Sequence, residues 1–277
     1  MTRDELAADV ALQQDIESTA HALAEAARAA ILPYFRGDAL DTIDKGDKIA
    51  DGGYDPVTVA DRAAETAMRA VLAERRPVDA IIGEEHGATP GTSGLTWVLD
   101  PIDGTRGFVA GTPTWGVLIA CSTATGPVFG MIDQPYIGER FWGGFGQARM
   151  QGPQGARALG VKGEGALDAA ILFTTFPEVG TAQEGAAFRA VAERVRMVRY
   201  GMDCYAYALL AAGQVDLVIE AGLSNYDIQA PIALIEAAGG IVTDWQGGPA
   251  HEGGRVIAAA GEAQHDAALQ ILRQVAG

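Results

Sequence analysis

Trp97-Val98-Leu99-Asp100-Pro101-Ile102-Asp103-Gly104-Thr105 is an apolar strand running into a turn that carries carboxylates. Pro101 holds Asp100 extended and interrupts regular strand pairing. Gly104 permits a tight turn. Such a turn aims the Asp100 and Asp103 carboxylates and the Ile102 carbonyl at one point. Upstream, Ile81-Ile82-Gly83-Glu84-Glu85 places Glu84 where another apolar strand gives way to a turn. Glu84, Asp100 and Asp103 then form an oxygen cage without sulfur or histidine, which suits Mg²⁺ or Mn²⁺ and not zinc. Like charges this close raise each other's pKa, so the cluster needs cations to stay ionised. Any one of these acids alone reads as a surface turn residue. Glu84 together with the whole DPIDGT run points to metal.

Outward from this turn, Thr105 opens a short helical turn whose free backbone N–H groups make a phosphate site. It also reads simply as the cap of that turn. Asp55-Pro56-Val57-Thr58-Val59-Ala60-Asp61 precedes a helix predicted over about Asp61 to Arg75 and stopped by Pro77. Asp61 reads as its cap, and Asp55, extended before a proline, as an acid able to reach a catalytic hydroxyl. Ala64, Met68, Val71 and Leu72 face inward. Toward the N-terminus, Thr2-Arg3-Asp4-Glu5 has the form of a capping box. Leu6, Val10, Ile16, Leu23 and Ile31 follow one helical face up to Pro33, which predicts one long helix.

VDAII, TWVLD, WGVLIACS and PVFGMID, between residues 78 and 133, read as strands of an antiparallel-rich sheet packed on the two helices. Residues 143–165 are glycine-rich and read as turns and short strands. Beyond them strands and helices alternate: AILFTT, AAFRAVAERV, RMVRY, CYAYALLAAG, VDLVIE, DIQAPIALIEAAGG, IVTDW, RVIAAA and HDAALQILRQV. That alternation predicts an α/β lobe. The expectation is an α/β protein of two lobes. Residues 1–148 form an α+β lobe with most of the metal ligands, 149–277 an α/β lobe, and a cleft lies between them.

The 277 residues include 20 Lys+Arg and 36 Asp+Glu, a net charge of −16. With 48% hydrophobic and 20% charged residues the composition is that of a globular protein. The acidic balance argues against nucleic acid and anionic membrane surfaces as partners. Cys121 and Cys204 have no metal-ligand spacing and suggest no disulfide framework. The start has no apolar signal region, and no apolar run approaches the roughly 18 residues needed to span a bilayer. A cytoplasmic address is expected.

DPVTVAD at 55–61, GEE at 83–85, WVLDPIDGT at 97–105 and YDIQAPIALIEAAGGIVTDW at 226–245 together resemble the inositol monophosphatase superfamily over essentially the whole chain. The resemblance implies a layered αβαβα fold, Mg²⁺-dependent hydrolysis of a phosphate monoester, inhibition by Li⁺ and a homodimer. It implies that Glu84, Asp100 and the Ile102 carbonyl bind one metal, that Asp100, Asp103 and Asp227 bind a second, and that Glu84 helps hold a weaker third. Asp55 and Thr105 then orient and activate the attacking water, and the Gly104 and Thr105 amides hold the phosphate. On its own spacing Asp227 reads as a helix N-cap, a place from which a carboxylate also faces a cleft. No Ser-His or Cys-His arrangement is apparent, and His21, His86, His251 and His265 read as surface or packing residues, His86 lying nearest the acids.

Residues 107–120 with 130–144, and residues 199–227, resemble the histidinol-phosphate phosphatase branch. Tyr200-Gly201-Met202-Asp203-Cys204 supplies an acid where inositol phosphatases usually carry a small neutral residue. The leaving group of histidinol phosphate carries an ammonium and an imidazole, and Asp203 and Glu220 are suited to that cation. Asp203 also reads as a helix N-cap, and Glu220 serves either substrate class. Trp115 reads as a buried strand residue or a pocket wall, Arg106 as a phosphate contact or an exposed ion pair. The rival readings are an inositol-phosphate or sugar-phosphate phosphatase of the same fold and, from another class, a non-catalytic metal- or phosphate-binding protein.

Overall fold

The computed structural model describes residues 1–37, 42–44 and 56–276. Asp55 therefore lies outside the described residues. In chain order the elements are α1 (Arg3–Ala8), α2 (Val10–Ile31), β1 (Thr42–Asp44), β2 (Pro56–Thr58), α3 (Val59–Arg75), β3 (Ala80–Gly83), β4 (Gly87–Thr89), β5 (Thr96–Asp103), α4 (Thr105–Ala110), β6 (Gly116–Thr123), β7 (Gly126–Gln134), β8 (Glu139–Gly144), β9 (Gln147–Gly152) and β10 (Gly155–Ala158). There follow β11 (Ile171–Thr174), α5 (Ala182–Ala192), β12 (Met197–Tyr200), α6 (Cys204–Ala211), β13 (Leu217–Leu223), α7 (Asn225–Ala237), β14 (Ile241–Asp244), β15 (Gly254–Ala259) and α8 (Glu262–Ala276).

The larger sheet has the order β10-β9-β8-β7-β6-β5-β3-β4 and is antiparallel apart from the parallel β3–β5 pair. The smaller has the order β12-β11-β13-β15-β14, with β11 parallel to both its neighbours. Residue 148, where a change of lobe is expected, falls within β9 of the larger sheet.

Apolar residues on three sets of faces stack these pieces into five layers, αβαβα. Ile16, Leu23 and Ile31 of α2 and Ala64, Met68 and Leu72 of α3 close on Trp97, Leu99, Val117 and Ile119 of the larger sheet. Helices α6 and α7 fill the middle, meeting Val98, Leu118 and Ile132 on one side and Val218, Val256 and Ala258 on the other. Helices α5 and α8 cover the outer face of the smaller sheet through Phe188, Val191, Leu269 and Leu272. Trp115 belongs to the first of these cores, its ring 5.1 Å from Phe35 and 5.0 Å from Phe108. It packs and lines no part of the cavity described below.

Local chemistry moved three expected helix starts. The Thr2/Glu5 capping box is present. The expected single N-terminal helix, however, breaks at Asp9, whose Oδ1 accepts the Leu12 N–H at 2.9 Å and starts α2 afresh. Aspartate competes with the helix for backbone donors and so favours a cap. Val10, expected on the apolar face, is instead 60% exposed. Helix α3 begins at Val59, which puts Asp61 inside its first turn, buried, and not at the cap. Helix α7 is capped at Ser224, and Asp227 is the third helical residue, its Oδ2 accepting the Ser224 N–H at 2.7 Å.

Candidate active site

Strand β5 does not end at Asp100. It continues to Asp103 through a bulge: Asp100 pairs with Leu118 and Asp103 with Gly116, so one extra residue sits on the β5 side. Side chains alternate faces along a strand, so residues three apart normally point oppositely, and an inserted residue reverses that alternation. The packing shows the reversal. Val98 belongs to the middle core and Leu99 to the α2/α3 core, and Ile102 joins Leu99's side. Asp100 and Asp103 thereby share the face that looks toward α6 and α7.

Gly104 follows with φ +84° and caps α4. Thr105 is therefore the first helical residue and not a cap, and its hydroxyl donates to the Ile102 carbonyl at 3.1 Å. Helix α7 brings Asp227 from the other side. One carboxylate oxygen from each of Asp100, Asp103 and Asp227 lies within 4.8 Å of the other two. Glu84 follows the end of β3, where its N–H donates to the Leu99 carbonyl at 3.2 Å, next to Asp100. These acids, with Ile102, Gly104 and Thr105, line one cavity of about 520 Å³, within the range of small-molecule sites.

The electrostatics suit the cluster to a cation. Burial, then the Glu84, Asp103 and Asp227 charges, push the Asp100 carboxyl well above the usual range, and Asp61 adds to the effect. Burial and the charges of Asp203 and Asp227 do the same to Asp103, against the pull of a hydrogen bond from the Cys204 N–H. That bond, 2.6 Å to Asp103 Oδ2, ties the bulge to the start of α6. Asp100 Oδ1 is buried and has no hydrogen-bond partner among the described residues. A buried acceptor of this kind is costly unless something electropositive meets it. An oxygen-only donor set with an orphaned carboxylate oxygen fits a hard divalent ion.

The same cavity is also lined by Asp203, which stands beside Gly104, and by Glu220, Thr175, Phe176 and Tyr226. Asp203 stands at the cap position of α6, but its side chain makes no capping hydrogen bond. Its backbone is held at φ +46°, a sparsely populated region that persists only where the surroundings enforce it. Thr114 Oγ1 donates to it at 3.4 Å. Burial raises its pKa, and the Thr114 bond and the Arg106 charge oppose that rise. Glu220 ends its buried run in β13 and accepts from Thr174 Oγ1 at 3.1 Å, Thr175 N at 2.7 Å and Thr175 Oγ1 at 2.9 Å. Burial nevertheless pushes its carboxyl up to about 7. Arg106 lines the cavity with its guanidinium 4.8 Å above the Phe176 ring, joining α4 to the chain after β11. His86 stays apart, its Nε2 3.1 Å from Thr66 Oγ1.

Sequence reasoning missed Tyr226, Phe176 and the Thr174/Thr175 clamp on Glu220. It also missed the proximity of Asp61 to Asp100. Tyr226 adjoins Asp227 in sequence, and the paired threonines end a strand; nothing local distinguishes Phe176.

A model of the inositol monophosphatase family matches residues 12–276. A bifunctional phosphatase of Arabidopsis thaliana, named chloroplastic, is 42% identical over 82% of this chain, and the matched stretch spans 63% of that longer protein. A histidinol-phosphatase of Streptomyces coelicolor is 34% identical over 92% of this chain and 96% of its own length. The solved structure of an inositol monophosphatase from Zymomonas mobilis superposes with a TM-score of 0.81 and 37% identity, covering 96% of this chain and 100% of that one.

Proposed function

The chain belongs to the inositol monophosphatase family and is a metal-dependent phosphatase of phosphate monoesters, and from that premise we propose that its substrate is histidinol phosphate and its metal Mg²⁺. Asp100, Asp103, Asp227, Glu84 and the Ile102 carbonyl would hold two or three ions. When bound, such ions polarise phosphoryl oxygens, acidify water and stabilise a leaving oxygen. The protein's own share is positioning. The Gly104 and Thr105 amides, at the start of α4, face the phosphate. Thr105 gives its hydroxyl proton to Ile102 O, which leaves the hydroxyl lone pairs to accept from the attacking water. Asp55 shares that water by the family pattern, and the buried Asp61 adds its charge to the field on Asp100.

The observation that carries the substrate is the Asp203 carboxylate. It is not engaged in capping α6 and, with Glu220, lines the cavity, standing beside Gly104. Two acids there favour a cationic leaving group, whereas a polyol gains little from the second.

The test is phosphate release from histidinol phosphate, inositol 1-phosphate, fructose 1,6-bisphosphate and phosphoadenosine phosphate, each with and without Mg²⁺. A Mg²⁺-dependent preference in kcat/KM for histidinol phosphate is expected. Preference for the polyol or sugar esters keeps the chemistry and discards the substrate. Asp100→Asn should lower kcat/KM by on the order of 10³ through lost electrostatic stabilisation, with unchanged circular dichroism. Near-normal turnover in that variant contradicts the metal assignment.

A further inference from the structure

We infer that Glu65, on α3 and outside the cavity, is a positioning residue that fixes Glu84 for metal binding through the turn that follows it. The inference rests on the reading of Glu84 as a metal ligand.

Glu65 is fully buried. Its Oε2 accepts the Glu85 N–H at 2.7 Å, and its Oε1 accepts the His86 N–H at 3.3 Å and the Arg69 Nε–H at 2.7 Å. One carboxylate thus holds the two backbone donors directly after Glu84. Arg69 neutralises that buried charge and grips the same hairpin further on, donating to the Gly87 carbonyl and, at 2.9 Å, to Thr89 Oγ1. Gly83, the residue before Glu84, makes room for the arrangement: a Cβ there would lie 2.0 Å from Glu65 Oε1. The sequence Gly83-Glu84-Glu85-His86-Gly87 is therefore held by α3 through hydrogen bonds after the acid and by close packing before it.

The clasp opposes a specific force. Glu84 sits beside Asp100, and their charges repel. A surface turn would relieve that repulsion by swinging Glu84 outward. Charge-assisted hydrogen bonds from two backbone N–H groups to a buried carboxylate are strong and directional, and they hold the backbone of Glu84 in place. Asp61 lies four residues before Glu65 on the same helix. Helix α3 thus sets Glu84 and Asp61 from one rigid body, and outer residues of this kind set the affinity of the ligands they orient.

The test is calorimetric titration of Mg²⁺ into metal-free protein, paired with the Mg²⁺ dependence of Tm, for the parent chain, Glu65→Gln and Glu84→Gln. The amide of Glu65→Gln keeps the size but loses the charge and presents N–H groups toward donors. The Mg²⁺ midpoint should rise about tenfold, the lower end of what outer-residue changes produce. Saturating Mg²⁺ should restore most of kcat, a split that general destabilisation does not give. A lower metal-free Tm with an unchanged midpoint makes Glu65 merely structural and overturns the inference. An unchanged midpoint in Glu84→Gln removes Glu84 as a ligand, and the inference falls with it. If Glu65→Gln does not fold, Arg69→Lys serves: it keeps the charge and breaks the fork that joins Glu65 to the hairpin. A severalfold rise in midpoint is then expected, and no rise overturns the inference.

Discussion

Asp203 shows how one residue's meaning depends on which groups it meets. A capping role and a substrate role are both legitimate for an acid before a helix. Here the α6 N-terminus is met by Asp103, whose Oδ2 takes the Cys204 N–H, and Asp203 is left to line the cavity. Asp203→Ala should lower kcat/KM for histidinol phosphate by about 10–100-fold, the worth of a hydrogen bond to a charged group, and spare inositol 1-phosphate. Equal losses on both esters remove the basis for the substrate. Glu220 makes a second prediction, about pH. Its folded-state pKa, about 7, lies above its ordinary value of 4.5. The folded protein therefore binds the extra proton, and the associated stability is present below about 4.5 and lost as pH rises to about 7. The raised Asp100 and Asp103 act in the same direction. The Tm of metal-free protein should fall across that window. Glu220→Gln should flatten the fall, and an identical slope in the variant refutes the assignment.

Among elements, α7 decides the most. It lies between the two sheets and delivers Asp227 to the acids of β5. Its close seat on the larger sheet depends on Gly130 of β7, where a Cβ would come 2.1 Å from the Ala230 carbonyl oxygen. That neighbour is backbone and cannot swing aside. Gly130→Ala should destabilise the protein by about 1–3 kcal/mol, the usual penalty of overpacking, and weaken Mg²⁺ binding as Asp227 moves away. Denaturant unfolding and a metal titration read the two effects; a loss of stability with full metal affinity separates the seat of α7 from the site.

Across the whole molecule, a net charge of −16 surrounds a cavity whose inner end is itself a group of carboxylates. Divalent cations would relieve the repulsion there and would bind only the folded arrangement. Mg²⁺ at about a hundred times its Kd should stabilise the chain by about 2.7 kcal/mol. For a protein of this size that amounts to about 5 °C in Tm. A chelator should reverse the rise and Asp100→Asn should abolish it; a Tm indifferent to Mg²⁺ in the parent chain sinks the cage.

The sequence by itself determined the order of helices and strands from β11 onward, most of the apolar faces of α2 and α3, and the acids at Glu84, Asp100 and Asp103. Those signals are local: periodicity, proline and glycine punctuation, and a short motif. The family resemblance added Asp227 and Asp203, which spacing alone leaves as helix caps. Only the tertiary structure decided that the β5 bulge turns Asp103 onto the face of Asp100 and that α7 brings in Asp227. It alone showed that Asp103 and not Asp203 meets α6, and that Glu65 and Arg69 hold the turn after Glu84. Each of these is a meeting of groups from separate elements, set by how whole layers pack, and a reading of neighbours along the chain carries no term for it.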